Sequence, residues 1–129
     1  GYEFDYLIEN GFENVFVIDI AASPLENIAK RNPKFASNLI HNDFFELNDK
    51  YDLVIEQTFF CAIPPTMRID YAKKMYEILH PKGKIAGLLF DFPLTNEGPP
   101  FGGSVEEYLS LFSDNFNIKT HIRNLSVIT

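Results

Sequence analysis

Two short runs of consecutive apolar residues constrain this chain most: residues 15–20 (VFVIDI) and 51–55 (YDLVI). A strand with one wet face alternates apolar with polar residues, and these runs do not. They read as strands of a parallel sheet, covered on both faces. A third run, residues 84–90 (KIAGLLF), follows the same pattern.

Helical patterns stand before and between these runs. Residues 2–9 (YEFDYLIE) place Phe4, Leu7 and Ile8 at helical spacing, and Asn10-Gly11 stops that helix as a C-cap. Ser23-Pro24 offers an N-cap with proline at the first helical position, ahead of LENIAKRN. Over residues 67–79, Met67, Tyr71, Met75, Ile78 and Leu79 share one face, and Pro81-Lys82-Gly83 ends the helix. A short strand is expected at 37–40, a capped helix at 104–112 (SVEEYLSLF) and an alternating last strand at 116–123 (FNIKTHIR). This alternation predicts one α/β domain over residues 1–129, with a doubly wound, mostly parallel sheet. Such a sheet normally opens on a strand at its switch point, yet this chain opens on a helix. Without that strand its neighbours would expose unpaired edges. The expectation is therefore that the whole protein extends before Gly1 and that the domain is incomplete at both ends.

Composition removes several function classes. A hydrophobic share of 46% is enough for a core and argues against disorder. A net charge of −7 argues against a nucleic-acid partner. No apolar run reaches membrane-spanning length and no signal peptide pattern opens the chain, so no membrane partner is expected. One cysteine, Cys61, excludes an internal disulfide and suits the cytoplasm. His41, His80 and His121 adjoin no other ligand type at metal spacing, so no metal site is expected. Oligomeric state is left open.

In open α/β sheets ligands bind beyond the carboxyl ends of the strands. Asp19 stands there after its run, either accepting from a ribose diol or serving as an ordinary loop acid. Asp43 precedes Phe44 and Phe45, either accepting from an exocyclic amine beside an aromatic wall or forming an Asx turn above two core rings. Glu56-Gln57 closes the next strand. Acids at three successive strand ends suit a cationic or amine-rich cofactor bound without metal. The bent, apolar stretch 58–65 (TFFCAIPP) follows where a substrate belongs. Cys61 has no basic neighbour and reads as a packing residue. Arg68 reads as a cap or pairing partner on a helix surface in preference to a substrate contact.

The stretch EQTFFCAIPPTMRIDYAKKMYEILHPKGKIAGLLF resembles the segment after the fourth strand of thiopurine methyltransferases and plant-type halide/thiol methyltransferases. GPPFGGSVEEY is similar to their Gly-Pro-Pro-(Phe/Tyr) loop, VFVIDIAASPLENI to their second strand and helix, and NDFFEL to their third-strand end. The resemblance implies a Rossmann-like class I methyltransferase fold and S-adenosyl-L-methionine as cofactor, with S-adenosyl-L-homocysteine as product. It places Asp19 and Ile20 at the cofactor ribose, Asp43 with Phe44 at the adenine, and Glu56 with Gln57 along the cofactor. Gly1 resembles the last glycine of the loop that cradles the methionine part. Phe59, Phe60, Pro64 and Pro65 would shape the acceptor side, with Pro99, Pro100 and Phe101. The rest of the glycine-rich loop is absent, and the family's last strand is not recognised after Arg123.

The implied activity is methyl transfer to a small acceptor: a thiol, a thiopurine or a halide. A thiol is already partly ionised near neutral pH and needs little base, so no catalytic residue is assigned. Three alternatives stay open. They are an O- or N-methyltransferase with Glu56 as base, an NAD-dependent oxidoreductase, and a non-catalytic Rossmann-like nucleotide-binding module.

Overall fold

The structure is a computed structural model that describes residues 1–122 and 125–128, with side chains over 1–118. The chain divides into two units, Gly1–Leu47 and Asn48–Thr129.

The first unit runs α1 (Tyr2–Glu9), β1 (Val17–Asp19), α2 (Ala22–Arg31), a 3-10 stretch (Pro33–Asn38), β2 (Leu39–His41) and a 3-10 turn (Phe44–Glu46). Helix α1 ends as its sequence predicts. Gly11 adopts φ +87°, its amide donates to Ile8 O at 3.0 Å, and the Phe12 amide reaches Leu7 O at 3.1 Å. These two bonds make a Schellman stop, which needs a left-handed residue. Asp5 of α1 then ties down the end of α2. Its Oδ2 accepts from Arg31 Nε at 2.6 Å and its Oδ1 from Asn32 Nδ2 at 2.5 Å. Phe4, Leu25 and Ile28 supply the buried apolar contacts of the two helices.

Strands β1 and β2 pair in parallel, with Val17, Ile18 and Asp19 opposite Leu39, Ile40 and His41. Each is shorter or later than the sequence predicts. Asn38 Nδ2 donates to the carbonyls of Glu13 and Val15 at 3.0 and 2.9 Å, so a side chain takes acceptors that a longer ladder would have used. Helix α2 starts at Ala22 with Ala21 as its N-cap, two residues before the predicted Ser23. The Asp19 carboxylate accepts the Ala21 amide at 2.9 Å and turns the chain directly out of β1. Pro24 still falls in the first turn, where a missing amide removes no intrahelical bond.

The second unit runs β3 (Tyr51–Gln57), 3-10 turns at Phe60–Ala62 and Pro65–Met67, α3 (Arg68–Glu77), β4 (Leu79–Leu88), α4 (Val105–Phe112), β5 (Ile118–Ile122) and β6 (Leu125–Ile128). Its sheet has the order β3-β4-β6-β5. β3 and β4 are parallel, while β6 runs antiparallel to both of its neighbours. Three sequence expectations are corrected here. Helix α3 stops at Glu77, and Leu79 already pairs with Tyr51. The ladder breaks and resumes at Leu53 opposite Lys84, because Pro81 lacks a ladder donor and Lys82 turns out at φ +69°. A strand does follow Arg123: β6 inserts between β4 and β5. Four residues are too few for periodicity to reveal it. Arg123 itself lies outside the described residues.

Among the described residues the strands form two sheets, β1-β2 and β3-β4-β6-β5, so β1 and β3 each keep one unpaired edge, the pattern expected of a doubly wound sheet whose switch-point strand is not in this sequence. Burial on both faces is not met. Leu53 and Ile55 on one face of β3 are 54% and 51% exposed, whereas Glu56 on the other is buried. The core of this unit is aromatic. Phe60 stacks edge-on against Tyr71 and Tyr108, with centroids 5.0 and 5.5 Å away, and Phe112 joins Tyr71 at 6.1 Å. Met75, Ile78, Leu79 and Ile85 complete it. Each ring or aliphatic side chain fully buried there contributes about 1.5–3 kcal/mol. Of the seven phenylalanines in this unit, Phe60, Phe112 and Phe116 are buried, whereas Phe59, Phe90 and Phe92 are 37–39% exposed.

Candidate functional site

Asp19 is the last residue of β1, and one of its oxygens is committed to the Ala21 amide. Its backbone carbonyl accepts from the Asn42 amide at 3.1 Å, and the His41 ring nitrogen Nε2 lies 3.0 Å from Ile20 O. The carboxyl ends of β1 and β2 are thus laced together, with Asp43 just beyond. Asp43 Oδ1 accepts the Phe45 amide at 2.9 Å, the Asx turn considered from the sequence. Neither Asp19 nor Asp43 has a partner for its second oxygen, Oδ2, among the described residues. Phe44 is 7% exposed and meets Phe45 edge-to-face at 5.2 Å, so its ring is mainly a packing surface. Ile20 stands 70% exposed at the strand end. Gly1 N-caps α1, and a Cβ there would come within 2.8 Å of the Ile28 side chain. The close approach of backbone to α2 suits glycine.

In the second unit Glu56 is the centre of a tight turn at the end of β3. It is 5% exposed, and its Oε1 accepts the Phe60 amide. Oε2 is buried and has no hydrogen-bond partner among the described residues. Burial pushes the carboxyl up to about 7, against the lowering effect of the Phe60 and Phe59 amides. The turn is strained at Thr58, whose φ is +64°. For a β-branched side chain that region costs about 1–3 kcal/mol, and such outliers cluster at functional sites. Thr58 O accepts from Cys61 Sγ at 3.2 Å. Burial first, and then the Glu56 charge, push the Cys61 thiol up. An activated thiolate needs the reverse, which supports the packing role.

Arg68 is the residue the sequence misplaces. It is 3% exposed, not a surface group, and its guanidinium lies 4.5 Å from the centre of the Phe60 ring. Nη1 pairs with Glu107 Oε2 at 2.5 Å and Nη2 donates to Gly102 O at 2.6 Å. Nε has no partner among the described residues. Glu107 is itself set by the capping turn of α4, where Ser104 Oγ accepts its amide at 3.2 Å. The loop 93–103 is also anchored by Phe101 N to Cys61 O at 2.7 Å and by Gly103 N to Phe92 O at 2.8 Å.

The predicted acceptor residues therefore separate. Phe60 is 1% exposed with Arg68 on its face, so it is a core ring; Phe59, 37% exposed, offers the open one. Gln57, Pro64, Pro99 and Pro100 are exposed, and Pro65 and Phe101 partly so. Phe101 is held to the Phe60–Ala62 turn through Cys61 O. Among the described residues no group of three or more His, Cys, Asp or Glu is placed to hold a metal. No described helix is long and apolar enough to cross a membrane. The His121 side chain lies outside the described ones.

Comparison with known proteins bears on both family and fold. A profile described as thiopurine S-methyltransferase matches residues 9–128. Thiocyanate methyltransferase 1 of Brassica oleracea is 36% identical over 97 residues, 70% of this chain and 43% of that protein. A thiopurine S-methyltransferase of Vibrio campbellii is 35% identical over 72 residues, 54% of this chain and 33% of that one. The chain spans less than half the length of these curated relatives. Among solved structures, the PH0226 protein of Pyrococcus horikoshii OT3 aligns with TM-score 0.75 at 19% identity, over 98% of this chain and 76% of its own. The 1,6-didemethyltoxoflavin-N1-methyltransferase of Burkholderia thailandensis, solved with 1,6-didemethyltoxoflavin and S-adenosylhomocysteine, aligns with TM-score 0.72 at 14% identity, over 99% and 64%. These two likenesses give the fold, the Rossmann-like fold of class I methyltransferases. With a profile match over nearly all its length and a relative above 30% identity covering more than two thirds of it, this chain belongs to the thiopurine S-methyltransferase family.

Proposed function

We propose that the chain is the cofactor-binding part of an S-adenosyl-L-methionine-dependent methyltransferase acting on a small soft nucleophile, a thiol, thiopurine or halide. One observation carries the reading. Taken unit by unit, Asp19 and Asp43 in the first and Glu56 in the second each commit one oxygen to their own turn and leave the other without a partner among the described residues. The cofactor presents three matching kinds of donor: a ribose diol, an exocyclic adenine amine and an amino-acid ammonium. NAD has the first two and lacks the third, and the buried Glu56 carboxylate is best matched by a cation. The residues present fit the group.

When bound, S-adenosylmethionine supplies a methyl group activated by a sulfonium. Asp19 and Ile20 border its ribose, Asp43 and Phe44 its adenine edge, and Glu56 with Gln57 its amino-acid part. The close contact at Gly1 keeps the backbone low beside α2. Phe59, Pro64, Pro65, Pro99, Pro100 and Phe101 form the acceptor side and exclude water, which raises the reactivity of a soft anion. Alignment of nucleophile and methyl is the main contribution, up to roughly 7–11 kcal/mol in well-oriented systems. In this reading Glu56 is taken up by the Phe60 amide and by the cofactor's ammonium, which leaves no base assigned to an oxygen or nitrogen acceptor and favours the soft nucleophile. We place the enzyme in the cytoplasm, in keeping with its single, buried thiol.

Calorimetric titration with S-adenosylhomocysteine tests the reading, with NAD as control. Wild type should bind in the micromolar range, and Asp19→Ala should weaken binding roughly 10- to 100-fold, the worth of one or two hydrogen bonds to a charged group. A folded wild type that binds NAD and not S-adenosylhomocysteine would overturn it.

A further inference from the structure

We propose that Arg68 is a positioning residue for the acceptor. Paired with Glu107, it holds the Phe101-Gly102 end of the loop 93–103 in place and so sets which acceptors bind. The proposal rests on the reading that this loop borders the acceptor.

Burying a guanidinium is costly unless its donors are matched, and here one nitrogen is spent on the loop and another on the helix that follows it. Nη2 holds Gly102 O at 2.6 Å, with Phe101 O at 3.5 Å. Nη1 holds Glu107 at 2.5 Å, and Glu107 sits in the first turn of α4, itself capped by Ser104. The flat face of the group rests 4.5 Å from the Phe60 ring and 5.9 Å from that of Tyr108. From the other side, Cys61 O takes the Phe101 amide at 2.7 Å, in the turn that Glu56 caps. Phe101 and Gly102 are therefore gripped from α3 and from the Glu56 turn together. Two grips on adjacent residues hold this end of the loop more firmly than either would alone, the kind of support a precisely placed binding residue needs. Arg68 has no exposed surface with which to touch an acceptor, so its effect passes through Phe101 and Gly102.

The test uses Arg68→Lys, which keeps the charge and loses the fork, with Glu107→Gln as a second variant that leaves the buried arginine and its hydrogen bond in place. The first readout is amide hydrogen exchange. Exchange at Phe101 and Gly103 should rise about tenfold or more, while the Phe60 amide stays protected. The second is steady-state methylation of thiophenol and of iodide. KM for thiophenol should rise roughly 10- to 100-fold, KM for iodide much less, and S-adenosylhomocysteine affinity less than about twofold. Unchanged exchange in both folded variants overturns the proposal. So does an equal loss for both acceptors and for the cofactor product, which marks a general structural role. A wild type without turnover counts against the proposed function instead, and the exchange result then decides the role of Arg68 in holding the loop.

Discussion

Glu56 carries two opposed demands on one side chain. Its turn needs an acceptor for the Phe60 amide, yet the site is too dry to hold the charge cheaply, and the carboxyl is pushed up to about 7. The sign of the pH effect follows from that direction. A carboxyl raised in the folded state favours the protonated form there, so its contribution to stability is full below about 4.5 and is lost as pH rises through about 7. The loss is about 3 kcal/mol at most. Glu56→Gln keeps the acceptor and cannot ionise. Urea unfolding should therefore find the variant increasingly more stable than wild type between pH 5.5 and 8.5, even though its S-adenosylhomocysteine affinity falls. Parallel stability profiles across that range would mean that Glu56 is solvated in the folded protein. The acid at this strand end was legible from residue type and position alone. Its neighbour in the network was not: Arg68 finds Glu107 39 positions later, a separation at which no local pattern signals the pairing. Burial likewise distinguishes Phe59 from Phe60, two adjacent identical residues that sequence cannot tell apart.

Elements whose ends carry a familiar stop or cap were read correctly, and those set by other contacts were not. Helix α1 stops where Asn10-Gly11 says it should, and α4 begins on the Ser104 cap with Glu107 three residues on. By contrast α2 starts early because Asp19 reaches forward to Ala21, and Pro81-Lys82-Gly83 lies inside β4 because Leu79 has already found Tyr51. Strand β6 exists through its two neighbours, which no four-residue pattern can announce. The helix stop is the cleanest element to test. A Cβ on Gly11 would meet nothing within 4 Å, so any cost of substitution is conformational, not steric crowding by neighbours. Gly11→Ala should destabilise by about 1–2 kcal/mol. Gly11→Asn should cost less, because asparagine tolerates the left-handed region. Urea melts with an unchanged m-value would report this directly; a neutral Gly11→Ala would show that the Schellman stop does not hold α1 in solution.

Across the whole molecule, alternation of strands and helices made the fold class legible, because covering a parallel sheet requires that pattern whatever the residues at each boundary. Charge acts at the same scale. A net charge of −7 biases the long-range field of this chain toward attracting cations and repelling anions. S-adenosylmethionine carries a sulfonium and an ammonium against one carboxylate, a net charge of +1, whereas S-adenosylhomocysteine is neutral overall. The two differ by little else, so salt dependence separates the field from local contacts. Raising ionic strength shortens the screening length from roughly 20–30 Å at 0.01–0.02 M to under 10 Å above 0.1 M. Affinity for S-adenosylmethionine should then fall severalfold while that for S-adenosylhomocysteine holds within about twofold. An anionic acceptor should respond the other way, with kcat/KM for iodide rising as a non-halide salt screens the repulsion. If both cofactor forms are equally flat with salt, the sulfonium gains nothing from the acidic surface. Discrimination between cofactor and product would then rest on the residues of the site, Phe59 and Glu56 foremost.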